Sequence, residues 1–553
     1  MKSKLEELNI NFFDIFLFFA PFLIGGFYEW ASCIFSAVIS VYAIVVYFKN
    51  KQFIIPLNIT SLVLIAFPAL YLLTYFWAID KYYSIIGFLK FLPVILFYLL
   101  VRQFDEKNRN FLRSVPLSGA AMTVLSLVLG FIPLFKENFY NQGRITGFFQ
   151  YANAFAIFLL VGIITVAFKE KFKLYDAIVI LILIAGIFLS GSRTVFALTV
   201  LTMIFLVISR KNIRKISIIG FASIAAVAVI YVLVTDNMDT VGRFLRMSLT
   251  ESSFVGRILY YKDALKMILK HPFGMGYLGY HFAQAQYQTG YYLVKYVHND
   301  LLQIMLDIGI VPGVAFIVVI FKNIFSKQVS LKNKLIISVI SLHCLLDFDL
   351  QFMSIFMILV LCMNDKGQKE IVLGKKSKYS FRTTSIITSI VSIFFAVTFL
   401  FSYFKMYSVS YSMYKYNTEI EIEMLTSCKD IKMAESLANH ILSHNKNVYQ
   451  AYDVLAVICQ KNGDFDDMIK YKKQAIKIAK YNSYEYAAYY DMLKELIENP
   501  DYRNEKEKYI IEIKELPNMI WEVMDSTDKM AWMIRDKPNI ELTVHQLSYI
   551  ESL

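Results

Sequence analysis

The sequence carries little charge for its length. Lysine, arginine, aspartate and glutamate together make up 18% of the 553 residues, whereas apolar residues make up 57%. Soluble domains contain about 25% charged residues, so this composition excludes an ordinary soluble protein. The charges gather between apolar runs of roughly 15 to 24 residues, the length that a helix needs to cross about 30 Å of hydrocarbon. We therefore predict an all-α fold, a polytopic bundle of membrane helices.

Cysteine is scarce as well, and its spacing excludes the common metal-binding motifs. The chain has five cysteines, with no CxxC pair and no ligand spacing to histidine. A structural zinc site needs such ligands at short, regular intervals, so we expect no zinc site. Cys428 and Cys459 lie outside the apolar runs, and nothing in the sequence places them close enough together for a disulfide.

A cleavable signal is also missing. Lys2 and Lys4 precede the apolar stretch from Phe12 to Ile24, but no small-residue cleavage pattern follows it, so we predict a retained first span. By length and lack of charge we count about 13 apolar segments. They are centred near residues 18, 39, 65, 92, 125, 159, 182, 201, 225, 311, 341, 357 and 394.

Every second connection between these segments is basic. With the two N-terminal lysines, these connections hold 25 of the 56 lysines and arginines, while the short alternate loops hold four. Because basic loops stay in the cytoplasm, the N-terminus is predicted to be cytoplasmic and the alternate loops extracytoplasmic. The net charge of +12 follows from this bias and predicts no nucleic-acid partner. The basic residues are Lys49 and Lys51; Arg102, Lys107, Arg109 and Arg113; Lys169, Lys171 and Lys173; Arg210, Lys211, Arg214 and Lys215; Lys322, Lys327, Lys332 and Lys334; and Lys366, Lys369, Lys375, Lys376, Lys378 and Arg382.

Two larger segments fall on the outer side by this count. We predict a membrane domain over residues 1–406, including an extracytoplasmic loop from Thr235 to Val297, and a helical tail over residues 407–553. From Ala451 the tail resembles one tetratricopeptide repeat, with Gly463 at its turn. A generic helical hairpin is an equal alternative, because the closing proline is missing and one or two units are fewer than a solenoid needs. In both cases we expect an appendage outside the catalytic part.

Four clusters on the predicted outer side contain residue types that can carry chemistry. Charged groups at the ends of spans are costly, so their placement is informative. The clusters are Arg144 with Asn153 in GRITGFFQYANAFA, Ser192 and Arg193 in SGSRTVFA, Arg257 in GRILYYKDALKMILKHPFGMGYLGY, and His298 with Asn299 in YVHNDLLQIMLDIGIVPG. Arg257 is predicted to open an amphipathic helix that ends at Pro272. Its apolar face is predicted to contain Ile258, Tyr261, Leu265, Ile268 and Leu269.

Each cluster also has a simpler structural explanation. A single arginine at a helix end is usually a surface anchor. A single interfacial histidine is more often a hydrogen-bonded structural residue than a base. What favours a functional site is convergence, because three arginines and a histidine from distant parts of the chain are all predicted on one face of the membrane.

These motifs resemble the O-antigen ligase and O-antigen polymerase superfamily. The likeness spans roughly residues 60 to 365 and is most specific from Arg257 to Gly309. The segment LLDFDLQF, with Asp347 and Asp349, also resembles the later membrane motif of the family. The residues that carry the resemblance are Arg144 with Gly147 and Asn153; Ser190 to Arg193; Arg257 through His271, Pro272, Gly274 and Gly276; and His298 with Asn299, Leu302 and Gln303.

The resemblance implies a membrane glycosyltransferase. Such an enzyme moves a glycan from a polyprenyl-pyrophosphate carrier to a glycan or glycolipid acceptor, on the outer face of the cytoplasmic membrane. It implies His298 as the catalytic base, since imidazole accepts protons near neutral pH. It also implies Arg144, Arg193 and Arg257 as pyrophosphate-binding residues, because guanidinium groups bind oxyanions in bidentate fashion. The supporting residues are Asn153, Ser192 and Asn299.

The family precedent further implies inverting transfer without a metal or other cofactor. Asp347 and Asp349 do not predict a metal pair, because an acid that caps a span or pairs with an arginine is commoner. The sequence leaves open whether the chain is a polymerase, a ligase or a protein-glycosylating enzyme. It also leaves open a protein partner for the tail.

Two other classes of protein compete with this interpretation. A transporter or flippase of lipid-linked glycans would show broken or charged spans and inverted repeats. The sequence shows no convincing repeat, and Lys90 is the exception that lies inside a span, where we expect it to snorkel or to pair with an acid such as Asp80. A membrane-anchored scaffold would leave the arginines and the histidine unexplained.

Overall fold

The computed structural model describes residues 11–104, 111–209, 214–235, 252–363 and 369–553. Within these ranges the chain is helical apart from two short antiparallel strand pairs, Phe53–Pro56 with Glu370–Leu373 and Tyr140–Asn141 with Arg144–Ile145. Several features of the sequence analysis lie outside the described residues: Lys2, Lys4, Lys107, Arg109, Arg210, Lys211, Lys366 and positions 236–251 of the predicted outer loop.

Each predicted apolar segment contains a helix among the described residues, and the all-α bundle is confirmed. The segment centred near residue 311 is divided at Gly309 into Asp300–Ile308 and Ile310–Phe325. Five helices, taken with their 3₁₀ extensions, are long and apolar enough to cross a membrane. The helices of the bundle are Phe12–Phe19, Glu29–Asn50, Ile59–Leu73, Tyr83–Val101, Val115–Gly130, Ala152–Ala167, Leu174–Ser190, Arg193–Ser209, Arg214–Thr235, Ile310–Phe325, Leu331–His343, Met353–Cys362 and Lys378–Tyr403.

The helix Ala152–Ala167 lies at the centre of the bundle. All its residues from Ala154 to Ala167 are buried, as expected for a helix that is apolar on every side. Its first turn carries Asn153. This buried helix therefore carries one of the predicted site residues.

The loops segregate to two opposite ends of the bundle, as alternating spans require. At one end the two basic connections around residues 51 and 369 join in the strand pair Phe53–Pro56 with Glu370–Leu373, and Arg102 donates to the carbonyl of Met363 at 2.5 Å. At the other end the Ile79 amide donates to the carbonyl of Met275 at 2.9 Å. The predicted division into basic and non-basic loops thus agrees with the arrangement in space.

Lys90 corrects one expectation. It is buried in the helix Tyr83–Val101 but does not pair with Asp80. Its ammonium group donates to the carbonyls of Gly26 and Phe27. These carbonyls lie at the end of a 3₁₀ turn with positive φ at Gly25. Asp80 instead accepts from Thr418 and Asn445 of the tail.

Three helices pack over the non-basic end: Ser252–Lys270 and Gly279–Tyr287 of the outer loop, and Asp300–Ile308, which follows that loop. The first, here called the arginine helix, begins five residues before Arg257. Ile258, Leu265 and Leu269 of its predicted apolar face are exposed. The face turned to the protein contains Leu259, Ala264, Met267 and Ile268, and the exposed residues are typical of a helix that lies at a membrane interface.

The tail forms antiparallel helical pairs. Gly463 ends one helix in the left-handed conformation, with φ of 84°, where a residue without Cβ is favoured. Leu455, Ala456 and Ala475 are buried between the helices, and the tetratricopeptide assignment stays a prediction. All five cysteines are free. The tail helices are Tyr407–Met413, Thr418–Ser427, Ile431–His444, Tyr449–Asn462, Phe465–Ile478, Ser483–Glu498, Lys506–Asp525 and Val544–Ser552.

The tail packs against the non-basic end of the bundle. Tyr83 donates to Asn417 at 2.7 Å, and Lys295 donates to Glu419 at 2.6 Å. These contacts place the tail on the same end as the outer-loop helices, in agreement with the predicted parity of the spans.

Candidate functional site

A tight hairpin presents Arg144. Its two strands are joined by Gln142 and Gly143, whose φ values of 50° and 74° are those of a type I′ turn, the turn that fits strand twist. The Arg144 guanidinium donates from Nε to the carbonyl of Ser190 at 2.7 Å. It also donates from Nη2 to the side-chain oxygen of Asn153 at 2.7 Å. The predicted first and second clusters therefore meet at Arg144.

Asp347 lies at the centre of the site. It belongs to the site loop, residues 344–352, between the helices Leu331–His343 and Met353–Cys362, and only 1% of its surface is exposed. Its carboxylate accepts from Tyr151 Oη at 2.7 Å and from Asn153 Nδ2 at 2.6 Å. Arg257 Nη2 lies 3.7 Å from the same carboxylate.

His298 completes this group. Its Nδ1 lies 3.3 Å from Asp347 Oδ1, so a proton on Nδ1 is donated to the carboxylate and Nε2 is left as an acceptor. Nε2 makes no hydrogen bond to any residue that the structure describes. The backbone of His298 has φ of 55°, a strained conformation for a residue with a side chain of this size, and such strain is often found at functional sites.

The charges around Asp347 keep it ionised. Burial alone would raise its pKa, but the hydrogen bond with His298 and the charges of His298 and Arg257 outweigh burial, so the pKa lies below its ordinary value. Arg257 Nε is buried and has no hydrogen-bond acceptor among the described residues. The site therefore holds a fixed negative charge and a guanidinium group whose donors are only partly used.

Hydrogen bonds hold the irregular backbone of the site loop. Asn299 caps the helix Asp300–Ile308 by accepting from the Leu302 amide at 3.0 Å, and its Nδ2 donates to the carbonyl of Leu345 at 3.0 Å. Tyr261 of the arginine helix donates to the carbonyl of His298 at 2.6 Å and to that of Leu345 at 2.9 Å. Buried non-helical backbone needs such partners. Asn299 thus links the start of this helix to the site loop.

Asp349 has a different environment from Asp347. Its carboxylate pairs with Nδ1 of His343 at 2.5 Å. Asp347 instead pairs with Arg257 and His298. The two acids therefore have separate partners.

Arg193 lines a cavity beside this group. It opens the helix Arg193–Ser209, three residues after the Ser190 carbonyl that Arg144 binds. Ser192 is buried, and its carbonyl accepts from the Phe196 amide at 2.9 Å. The cavity measures about 670 Å³, and Arg193 and Tyr260 are among the residues that line it. The ring of Tyr260 lies 6.2 Å from that of His298.

The glycines of the third cluster allow two backbones to approach closely. A Cβ on Gly274, where φ is 87°, would lie 2.4 Å from the carbonyl oxygen of Asp307, and Gly309, with φ of 101°, is equally confined. His271 from the same motif faces Tyr287, with 3.0 Å between Nε2 and Oη. The motif therefore fixes how the arginine helix joins the following helices, and His271 stands apart from the Asp347 group.

Sequence reasoning missed the roles of Asp347, Tyr151 and Tyr261. A signal for Asp347 was present, because a charged residue within an apolar stretch is costly and indicates a partner. The tyrosines gave no signal, since tyrosine is common at membrane interfaces.

The comparison with known families finds a match over part of the chain. Residues 178–318 match the family model described as O-antigen ligase, which confirms the resemblance to the O-antigen ligase and polymerase superfamily. The matched region contains Arg193, Arg257 and His298, while Arg144, Asn153 and Asp347 join it through contacts in space. No curated protein and no solved structure matches the chain significantly.

The matched domain and the apolar helices define the class of protein. It is a multi-pass membrane protein with a glycosyltransferase-like role in surface polysaccharide synthesis.

Proposed function

We propose that this protein transfers a glycan from a polyprenyl-pyrophosphate carrier to a hydroxyl group of a glycan or glycolipid acceptor. The observation that carries the proposal is the hydrogen-bonded group at Asp347. It joins His298 and Arg257 directly and Arg144 through Asn153. A base and several guanidinium groups at one place suit a transfer in which the leaving group is an anion.

In the proposed step the acceptor hydroxyl attacks the anomeric carbon, and His298 Nε2 takes the hydroxyl proton. A new C–O bond forms as the bond between the sugar and the pyrophosphate breaks, so the configuration at the anomeric carbon inverts. Asp347 holds the imidazole in the required tautomer and stabilises the imidazolium that forms, which is the role of the acid in histidine–acid pairs.

The arginines stabilise the departing carrier pyrophosphate. Arg257 has a buried Nε without a described acceptor, and its neighbours hold the guanidinium in place before the substrate binds. Arg144 is fixed by Ser190 and Asn153, and Arg193 faces the adjacent cavity. Preorganised donors of this kind favour the transition state because they need little reorganisation. The proposed step uses these charges in place of a metal.

We place this site on the outer face of the cytoplasmic membrane. The support is the charge bias of the loops, because the site lies at the end of the bundle opposite the basic connections. The lipid part of the donor would then remain in the outer leaflet while its pyrophosphate reaches the arginines.

The experiment uses the carrier-linked glycan that accumulates in a strain lacking this protein. That glycolipid is extracted and mixed, in detergent, with purified protein and total membrane glycolipids as acceptors. We expect release of polyprenyl pyrophosphate together with a longer or newly attached glycan. Translocation of the same lipid in proteoliposomes without any glycan transfer would contradict the proposal and support the transporter alternative.

A further inference from the structure

The C-terminal tail reaches the candidate site through a short segment, residues 528–536, here called the docking segment. It begins with Asp528, whose amide donates to the carbonyl of Thr289 at 2.8 Å and whose carboxylate pairs with Lys262 of the arginine helix. The residue before it, Thr527, is bonded to Tyr481 of the tail at 2.9 Å. The docking segment therefore connects the tail core with the helix that carries Arg257.

Apolar contacts strengthen this connection. Ala531 and Ile534 are buried together with Val255, Leu259 and Tyr292 in one cluster. The two backbones approach closely at this contact, because a Cβ on Gly290 would lie 2.4 Å from the Cβ of Ala531. The first two turns of the arginine helix are thus covered by the docking segment.

The arginine helix also holds the loop on which the docking segment rests. Its buried Asp263 accepts from the Thr289 amide at 2.8 Å and from Tyr292 Oη at 3.0 Å. The helix, this loop and the docking segment consequently form one packed unit.

The end of the docking segment forms part of the cavity beside His298. Among the described residues, the lining of the cavity combines two arginines, one carboxylate and three hydroxyl groups with a single aliphatic side chain. Such a lining offers donors and acceptors for a ligand rich in hydroxyl groups. The lining residues are Arg193, Ser252, Ser253, Tyr260, Ile534, Arg535 and Asp536.

We propose that the docking segment completes the binding site for the donor glycan and that Arg535 binds the sugars next to the pyrophosphate. This inference rests on the proposed function, which assigns Arg193 on the same cavity to the pyrophosphate. A sugar attached to that pyrophosphate lies within the cavity, and Arg535 on the docking segment faces it. The tail is then a part of the transfer site and selects the donor.

The test compares Arg535→Ala with Lys537→Ala in the purified protein. Lys537 is exposed and follows the docking segment without lining the cavity. With the extracted carrier-linked glycan as donor, we expect Arg535→Ala to raise the KM for the donor about tenfold, the effect of losing one charge-assisted hydrogen bond, with little change in kcat. Lys537→Ala should leave both constants unchanged.

A second variant tests the docking itself. Ala531→Gln places a larger polar group against Gly290, so we expect faster hydrogen exchange in the first turns of the arginine helix and a higher KM for the donor.

Two results would contradict this inference and leave the proposed function intact. One is that the wild-type protein transfers glycan and Arg535→Ala has an unchanged KM for the donor. The other is that Arg535→Ala raises only the KM for the acceptor.

If the wild-type protein transfers no glycan, the proposed function fails instead. The cavity is then tested by direct binding of the oligosaccharide released from the extract by mild acid. Binding that Arg535→Ala weakens about tenfold supports a glycan site at the docking segment, and equal binding by both proteins contradicts it.

Discussion

Asp347 illustrates how one buried carboxylate organises a site. A charge taken out of water is costly unless it is paired and hydrogen-bonded. Here the side chains of Tyr151, Asn153, His298 and Arg257 all surround the carboxylate. The same contacts that stabilise the buried charge fix the orientation of His298 and Arg257 before any substrate arrives.

Replacing Asp347 with asparagine keeps the shape of this side chain and removes its charge. The imidazolium that forms at His298 then lacks its counter-charge, so we expect turnover to fall by about 10²- to 10⁴-fold, the range for a disabled general base. The assay is glycan transfer per folded molecule, with the melting temperature measured on the same preparation.

Asp349→Asn serves as the control, since it breaks the neighbouring pair with His343 and leaves the contacts of His298 in place. We expect this variant to retain much more turnover per folded molecule. Equal losses in both variants would show that the acids act only through the folding of the site loop.

Arg257→Lys tests whether the geometry of the guanidinium matters. An ammonium group keeps the charge but cannot make the paired hydrogen bonds of the planar fork. We expect transfer to fall about 10- to 100-fold, which corresponds to about 1.5–3 kcal/mol for a hydrogen bond to a charged group. The exposed Arg382 provides the matched change, Arg382→Lys, which should have no effect. Wild-type turnover by well-expressed Arg257→Lys would remove this residue from pyrophosphate binding.

At this scale the sequence indicated residue types but not their contacts. Arg144, Arg257 and His298 stand out because charged or titratable groups at span ends are rare. Their connection depends on Asp347, which lies 194 residues from Asn153 along the chain. No local pattern indicates such a contact, because it follows from the packing of the whole bundle.

Among the elements, the junction between the bundle and the tail buries several ionisable groups. The helices Thr418–Ser427 and Ile431–His444 bury Glu421 between His440 and His444, with 2.5 Å and 3.1 Å between the nitrogens and the carboxylate oxygens. Asp80 of the bundle accepts from Thr418 of the same junction. Two acids, Glu421 and Asp80, therefore lie close to His444.

This junction should depend on pH. Burial lowers the pKa of His444, whereas its hydrogen bond to Glu421 and the charges of Asp80 and Glu421 raise that pKa. The raising effects are the larger, so the pKa of His444 lies above its ordinary value. A raised histidine pKa contributes stability that is complete below the ordinary value of about 6.5 and is lost as pH rises through the shifted value.

We therefore expect the helices Thr418–Ser427 and Ile431–His444 to open more readily at pH 9 than at pH 6. The measurement is hydrogen–deuterium exchange, corrected for the intrinsic effect of pH. His444→Gln should remove most of the difference, and His545→Gln, a change at an exposed histidine of the last helix, should retain it. Identical protection of the wild-type junction at both pH values would contradict this assignment.

The elements themselves were largely predictable, with instructive exceptions. The spans follow from apolar runs, which are local, and every predicted segment has its helix among the described residues. The arginine helix begins at Ser252, five residues before the predicted start at Arg257. The docking segment was missed altogether, since Ala531 and Ile534 form too short a pattern to indicate packing.

For the whole molecule, the loops divide into two sets at opposite ends of the bundle. The basic set includes the strand pair Phe53–Pro56 with Glu370–Leu373. The other set carries the candidate site and the tail. If basic loops are cytoplasmic, the site and the tail must both face outward.

Cysteine labelling tests this orientation. In a protein with Cys428 and Cys459 changed to serine, Ser253→Cys at the exposed start of the arginine helix should react with a membrane-impermeant thiol reagent in intact spheroplasts. Lys376→Cys, exposed at the opposite end, should react only after lysis. The reverse pattern would place the site in the cytoplasm and exclude the proposed outward transfer.

The central claim is that His298 removes the proton from the acceptor hydroxyl. The most direct measurement is release of polyprenyl pyrophosphate and glycosylation of the acceptor by purified wild-type and His298→Ala proteins, at equal amounts of folded protein. We predict a loss of about 10²- to 10⁴-fold in turnover, with normal membrane insertion and abundance. A well-expressed His298→Ala protein with near wild-type turnover would contradict it.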